Sequence, residues 1–176
     1  MKKMKYFTAL VIVLLAFNVN AQTSKQKRII EDATEAKETL LKTDEGLKHF
    51  FDNAAGYVIF PNVGKGGFII GGASGNGVVY EGGEKVGMAG LKKLNIGLQA
   101  GGQSIIEVIF FETPSDVREF KKENFNFGAE ASAVAIKSGI AFNAKYKDGV
   151  AVFALPKAGL MADASVGGQK FSYDSF

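Results

Sequence analysis

The chain has no cysteine and a single histidine, His49, among its 176 residues. The first absence excludes disulfides, thiol nucleophiles and cysteine-ligated metals. The second removes most histidine-based chemistry. A catalytic histidine needs an orienting partner, and His49, beside Phe50 and Phe51, sits in no motif that supplies one. Ser74, Ser132 and Ser165 lack the context of a nucleophile elbow. Charge of one sign is missing as well. The whole chain holds 21 basic and 18 acidic residues, but Lys2, Lys3 and Lys5 lie in a leader-like segment, and the remaining 18 basic residues match the 18 acidic ones. No overall electrostatic case for nucleic acid or an anionic surface remains. The apolar run Tyr6 to Phe17 is about 12 residues, short of the roughly 20 that a membrane-spanning helix needs.

What is present begins with that leader. A basic start, an apolar stretch and a small residue at the end of Val19-Asn20-Ala21 have the pattern of a secretory signal peptide, with removal expected before Gln22. The reading places residues 22–176 outside the cytoplasm, in the periplasm or beyond. That stretch is 155 residues, the size of one domain with a real core.

Residues 24–42 read as an amphipathic helix. Ile29, Ala33, Ala36 and Leu40 recur at three- and four-residue spacing, Ile30 and Leu41 widen the stripe, and charges fill the other face. Its polar face is charge-balanced, which favours packing on the chain's own sheet over lying on a membrane. Thr43 or Asp44 is expected to cap a second short helix to about Asn53, burying Leu47, Phe50 and Phe51. From there the chain reads as strands: 57–60, 66–73, 77–81, 85–91, 93–101, 104–112, 126–136, 139–146, 149–155, 158–166 and 169–174. One helix interrupts them, with Thr113 as N-cap and Pro114 at its first position.

Glycine concentrates in Gly56 to Tyr80, where 8 of 25 residues are glycine between runs of β-branched and aromatic residues. Glycine within strands marks bulges, bends or close backbone approach. The same region superficially resembles a phosphate loop. That reading fails because Val78-Val79-Tyr80 continues as a strand where a dinucleotide site needs a helix, and Gly64-Lys65-Gly66 is followed by Gly67, without the serine or threonine of a phosphate loop. Asn76-Gly77 suits a tight hairpin turn instead. The expected fold class is α+β: a strongly bent, mostly antiparallel sheet or small half-closed barrel, with an N-terminal helical pair and one short inserted helix. An outer-membrane barrel is disfavoured, because counting back from Phe176 puts Asp174 and Ser172 where outward apolar residues belong.

Polar residues lie within the small-residue strands: Gln99, Gln103, Glu107, Glu130 and Asp163. They form either a solvent-facing strand side or, if they point inward, a cluster that must satisfy itself by hydrogen bonds. Gln99, Glu130 and Asp163 are the candidates for such a buried cluster. Small basic clusters stand at Lys92-Lys93, Lys121-Lys122 and Lys145-x-Lys147. Lys121 and Lys122 lie near Phe120, Phe125 and Phe127, a combination suited either to an acidic lipid head group or to an ordinary solvated face.

An ordered set of segments carries a family resemblance. Ala55-Gly56-Tyr57-Val58-Ile59-Phe60-Pro61 comes first, then Lys65-Gly66-Gly67-Phe68-Ile69-Ile70-Gly71-Gly72 and Gly75-Asn76-Gly77-Val78. Ile96-Gly97-Leu98-Gln99-Ala100-Gly101, Phe127-Gly128-Ala129-Glu130-Ala131 and Lys157-Ala158-Gly159-Leu160 through Gly167-Gly168 follow. Taken together, from about residue 27 to 174, the chain resembles the SYLF-domain family, also described as actin regulators that bind a WASP homologue in yeast. The resemblance implies a lipid-binding module. Eukaryotic members bind phosphoinositides, bundle actin or both, whereas an export leader takes this chain away from cytoplasmic actin.

Two functions follow as expectations. One is a non-enzymatic envelope or periplasmic protein that binds lipid or another amphiphile, through Lys65 at the glycine-rich bend and Lys121, Lys122 and Phe125. The other is a structural or protein-interaction module of the cell envelope. Neither calls for a cofactor, a metal or a catalytic residue.

Overall fold

The computed structural model describes residues 23–66, 72–94, 104–122, 125, 133–157 and 169–176. Helix α1 spans Ser24–Thr43 and starts at a reciprocal cap. The Gln26 N–H donates to the Thr23 hydroxyl, and the Thr23 N–H donates to the Gln26 side chain at 2.8 Å. Its buried residues are Ala33, Ala36 and Leu40, as the spacing predicts. Helix α2, Leu47–Asn53, buries Leu47 and Phe50. Its N-cap is Gly46, without a side-chain cap. The expectation of a cap from Thr43 or Asp44 is thus corrected. The Asp44 carboxylate accepts instead from the Gly46 N–H at 2.9 Å and, across the fold, from the Ala141 N–H at 2.8 Å.

Among the described residues, seven strands form one open sheet: β1 Gly56–Gly66, β2 Gly72–Glu81, β3 Glu84–Leu94, β4 Ser104–Phe111, β5 Val134–Ala135, β6 Val150–Pro156 and β7 Gln169–Ser175. The order is β5-β6-β4-β1-β2-β3-β7. Every pairing is antiparallel except that of β5 with β6. Helix α3, Pro114–Phe120, follows β4 and starts at a second capping box, Thr113 with Asp116. The architecture is the α+β arrangement read from the sequence.

Two expectations change. Asn76 and Gly77 lie inside β2, opposite Gly90 and Ala89, and the hairpin turn is at Gly82-Gly83, with φ of +55° and +86°. Two successive glycines with positive φ meet the requirement of a tight hairpin. Gly77 serves close approach instead. A Cβ there would stand 2.6 Å from the Ile59 carbonyl oxygen and 2.7 Å from the Phe60 ring. Residues 139–146 are not a strand either. Gly139 has φ +79°, and Ala141–Asn143 forms a single 3₁₀ turn (η1).

The sheet is buried on both faces. Tyr57, Ile59, Val78, Tyr80, Val108, Phe110 and Phe153 pack under α1 and α2. Their sequence neighbours Val58, Phe60, Val79, Ile109, Phe111 and Val152 form the opposite face with Val117 and Phe120 of α3. Alternation with period two sends neighbours to opposite sides. The second face is strongly concave. Phe60 on β1 and Phe171 on β7 are three strands apart, about 14 Å in a flat sheet, yet their ring centroids lie 5.9 Å apart. Register shifts in β1 on both sides of Pro61, between Ile59 and Gly64 against β2 and between Phe60 and Val63 against β4, add the bend. Proline, which has no N–H to give to a ladder, is at home in such a bulge.

Candidate functional site

The concave face ends in a corner built by α3 and β7. Thr113 and Pro114 start α3, and its apolar side presses Val117 and Phe120 into the sheet. Phe120 meets Phe111 at 4.9 Å and Phe171 at 5.4 Å between centroids. Phe125 is half-buried beside them, 5.5 Å from Phe120 and 6.0 Å from Phe171, and its carbonyl accepts from the Phe171 N–H at 3.3 Å. Lys121 turns back from the end of α3 onto the sheet. Its Nζ stands 2.7 Å from the Glu81 carboxylate and 5.1 Å from the centre of the Tyr173 ring. Tyr173 in turn donates its hydroxyl to the Val86 carbonyl at 2.9 Å. Lys122 is exposed and pairs with Glu119 one turn earlier. Three residues proposed from the sequence, Lys121, Lys122 and Phe125, are therefore brought to one corner. Lys65 lies on β1 opposite Ala73, and its side chain is outside what is described.

Deeper in the concave face stands a polar pair, of which the sequence pointed to Glu107 and missed Gln169. Glu107 on β4 and Gln169 on β7 are 1% and 3% exposed. The Gln169 Nε2 donates to the Glu107 Oε2 at 3.1 Å. Their strands are four positions apart, roughly 19 Å in a flat sheet, so this bond exists only because the sheet curls. Of the two readings for polar strand residues, Glu107 follows the inward one. A buried carboxylate is tolerated where hydrogen bonds replace its water. Gln99, Gln103, Glu130 and Asp163 lie outside the described residues.

The opposite face carries an aromatic and lysine cluster with no warning in the sequence. Lys37 of α1 donates to the Tyr57 hydroxyl at 3.1 Å and lies 4.6 Å from the Phe51 ring centre. Tyr57 stacks on Tyr80 at 4.7 Å. Burial pulls the Lys37 ammonium below its ordinary pKa, with nearby Asp52 opposing the shift. Burial, and secondarily Tyr57, pushes the Tyr80 phenol up to about 12. The cluster fastens α1 to the sheet by ring contact and one hydrogen bond. Among the described residues, no group of three histidine, aspartate or glutamate side chains is placed to hold a metal ion. His49 is exposed on α2, where its ring nitrogen and carbonyl both meet the Asn53 amide.

Residues 92–175 match the model of a family described as Ysc84, Las17-binding protein actin regulator. That stretch runs from the end of β3 through β4, α3, β5, β6 and β7, and so includes the corner and the Glu107–Gln169 pair. The chain is also similar to Beta cell expansion factor A of Aeromonas veronii, with 30% identity over 161 residues. The similarity covers 89% of this chain and 60% of that relative's length.

Proposed function

We propose, from the premise that this chain belongs over residues 92–175 to the SYLF family described as Ysc84, that it is a non-enzymatic binding module working at a lipid surface of the cell envelope. The family match carries the reading, since SYLF domains are binding domains rather than catalytic ones. The corner at the end of α3 supports it physically. A lipid phosphate offers Lys121 and Lys122 the same oxygen chemistry that Glu81 and Glu119 give them now, while Phe125 and Tyr173 supply apolar and aromatic surface alongside. The leader-like residues 1–21 support a site of action outside the cytoplasm. N-terminal sequencing of the released protein is expected to begin at Gln22, and an intact Met1 start would refute export by cleavage.

Vesicle flotation tests the binding itself. The protein is expected to float with anionic vesicles at low salt, more than with neutral ones. Failure to float with either would end the lipid reading. The family description, Las17 binding and actin regulation, favours a second reading in which the target is a protein. Cosedimentation with actin filaments separates the two, and the lipid reading predicts none.

A further inference from the structure

Outside the corner just described, the turn between β5 and β6 departs from the rest of the surface. Phe142 is 70% exposed and Ile140 is 41% exposed. Between them Ala141 is buried, 2% exposed. This is no loose loop. The buried Asp44 carboxylate holds the Ala141 N–H at 2.8 Å and the Gly46 N–H at 2.9 Å. A Cβ on Gly46 would reach within 2.8 Å of the Phe142 nitrogen, so the α1–α2 turn and the tip are in direct contact. On the other side Tyr146 packs against Phe50, with ring centroids 5.4 Å apart. The tip's backbone largely satisfies itself: Ile140 bonds to Lys137, Asn143 to Ile140 and Ala144 to Ala141. A fold that spends a buried carboxylate on fixing a turn, and leaves a phenylalanine outside it, has a use for that ring.

The surrounding charge says what kind. From Ile136 to Lys147 the chain has three lysines, Lys137, Lys145 and Lys147, and no acid. All three are exposed, and among the described residues no carboxylate forms an ion pair with Lys137 or Lys145. The acids nearest this surface are exposed Asp148, directly after Lys147, exposed Glu45 on the α1–α2 turn, and Glu112, which acts on Tyr146. Protruding apolar side chains with a lysine collar and an internally bonded backbone suit the interface of an anionic bilayer. There the Phe142 ring and the Ile140 side chain enter the acyl boundary, the lysines meet head groups, and the turn's internal hydrogen bonds reduce the backbone polarity carried in with them.

We propose that the Ile140–Phe142 tip is the membrane anchor of this protein, inserting into anionic bilayers with Lys137 and Lys145 on the head groups. The proposal rests on the lipid reading above but assigns the contact to a different surface. The chain contains no tryptophan, so Phe142→Trp gives a single indole at the tip, and Glu84→Trp gives one at the exposed start of β3 as a control. The probes are vesicles of equal parts phosphatidylcholine and phosphatidylglycerol, and vesicles of phosphatidylcholine alone. Phe142→Trp emission is expected to shift to the blue on mixed vesicles, and Glu84→Trp emission to stay put. Phe142→Ser is expected to weaken binding about tenfold, the scale of removing one large apolar side chain from a buried site, with an unchanged melting temperature. Lys137→Glu with Lys145→Glu is expected to reduce binding to mixed vesicles only, and Glu45→Gln to increase it. Wild-type flotation with an unshifted indole at position 142, or with full binding by Phe142→Ser, would overturn the anchor and leave the lipid reading standing. Absence of any vesicle binding by the wild type would overturn both. A Phe142→Ser protein that loses self-association in sedimentation while binding vesicles normally would assign the tip to a second copy of the chain and also overturn the anchor.

Discussion

Two parts of this molecule place lysines beside phenylalanines, and they do opposite things with them. At the end of α3, Phe120 is buried against Phe111 and Phe171, Lys121 is tied to Glu81 and Tyr173, and Lys122 is paired with Glu119. At the β5–β6 turn, Phe142 points outward, and Lys137 and Lys145 meet no carboxylate among the described residues. Composition does not separate the two. The sheet does. The concave face needs rings to fill it and draws the corner inward. The tip lies on the other, helix-covered side, held from behind by Asp44.

The sharpest way to break the contrast is to truncate both rings. Phe120→Ala is expected to destabilise the fold by about 3–5 kcal/mol in denaturant unfolding. Phe142→Ala should change stability by no more than about 0.5 kcal/mol. Comparable losses would show that the tip is core, not anchor. Asp44→Ala comes next. It strands two N–H groups and should cost about 2–4 kcal/mol, while speeding hydrogen exchange at Ala141 more than at any strand. Unchanged exchange there would mean that Asp44 does not hold the tip.

Alkaline pH probes the helix side of the sheet and the back of the tip together. Tyr80 and Tyr146 are both pushed up to about 12, mainly by burial, with Glu112 adding to the second. Each phenol ionises near 10 in the unfolded chain, so the unfolded state gives up its protons first. Their contribution is complete below pH 10 and is lost as pH rises from 10 to about 12. Alkaline unfolding should fall in that window and become less steep in Tyr80→Phe. A stability flat through that range would contradict the burial of these phenols. The smallest effects belong to the paired lysines. Lys121→Ala should cost about 0.5–1 kcal/mol, since its ion pair is only partly buried, and Lys122→Ala should fall within about 0.3 kcal/mol. A larger effect on vesicle binding from these two than from Lys137 and Lys145 would move the membrane contact back to the corner.

The sequence makes local features plain. The stripe of Ala33, Ala36 and Leu40 and the cap at Thr113 depend on neighbours within one or two turns. So do the apolar strands from Gly56 to Phe111 and the balanced charge of α1. It misleads where a local signal competes with a distant contact. Asn76-Gly77 has the form of a turn, but Gly77 is small because the Phe60 ring lies over it. Ile140 and Phe142 alternate like a strand, but Asp44, 97 residues away, fixes the segment as a turn. The Glu107–Gln169 bond joins residues 62 apart and depends on the curl of the whole sheet. No spacing in the sequence encodes that distance. For Lys65, Lys121, Lys122 and Phe125, the sequence supplied residue types suited to lipid. Partners from distant strands are seen for two of them: Glu81 and Tyr173 for Lys121, and Phe171 for Phe125.

The claim that the tip enters the acyl region while the corner stays at the head groups has a direct measurement. A single indole is placed either at the tip, as Phe142→Trp, or on the corner, as Lys122→Trp, in a chain that has no other. Each is titrated with mixed anionic vesicles whose phosphatidylcholine carries bromine on its acyl chains. Strong quenching at position 142 with little at position 122 is the predicted result, and strong quenching at 122 with none at 142 would contradict it.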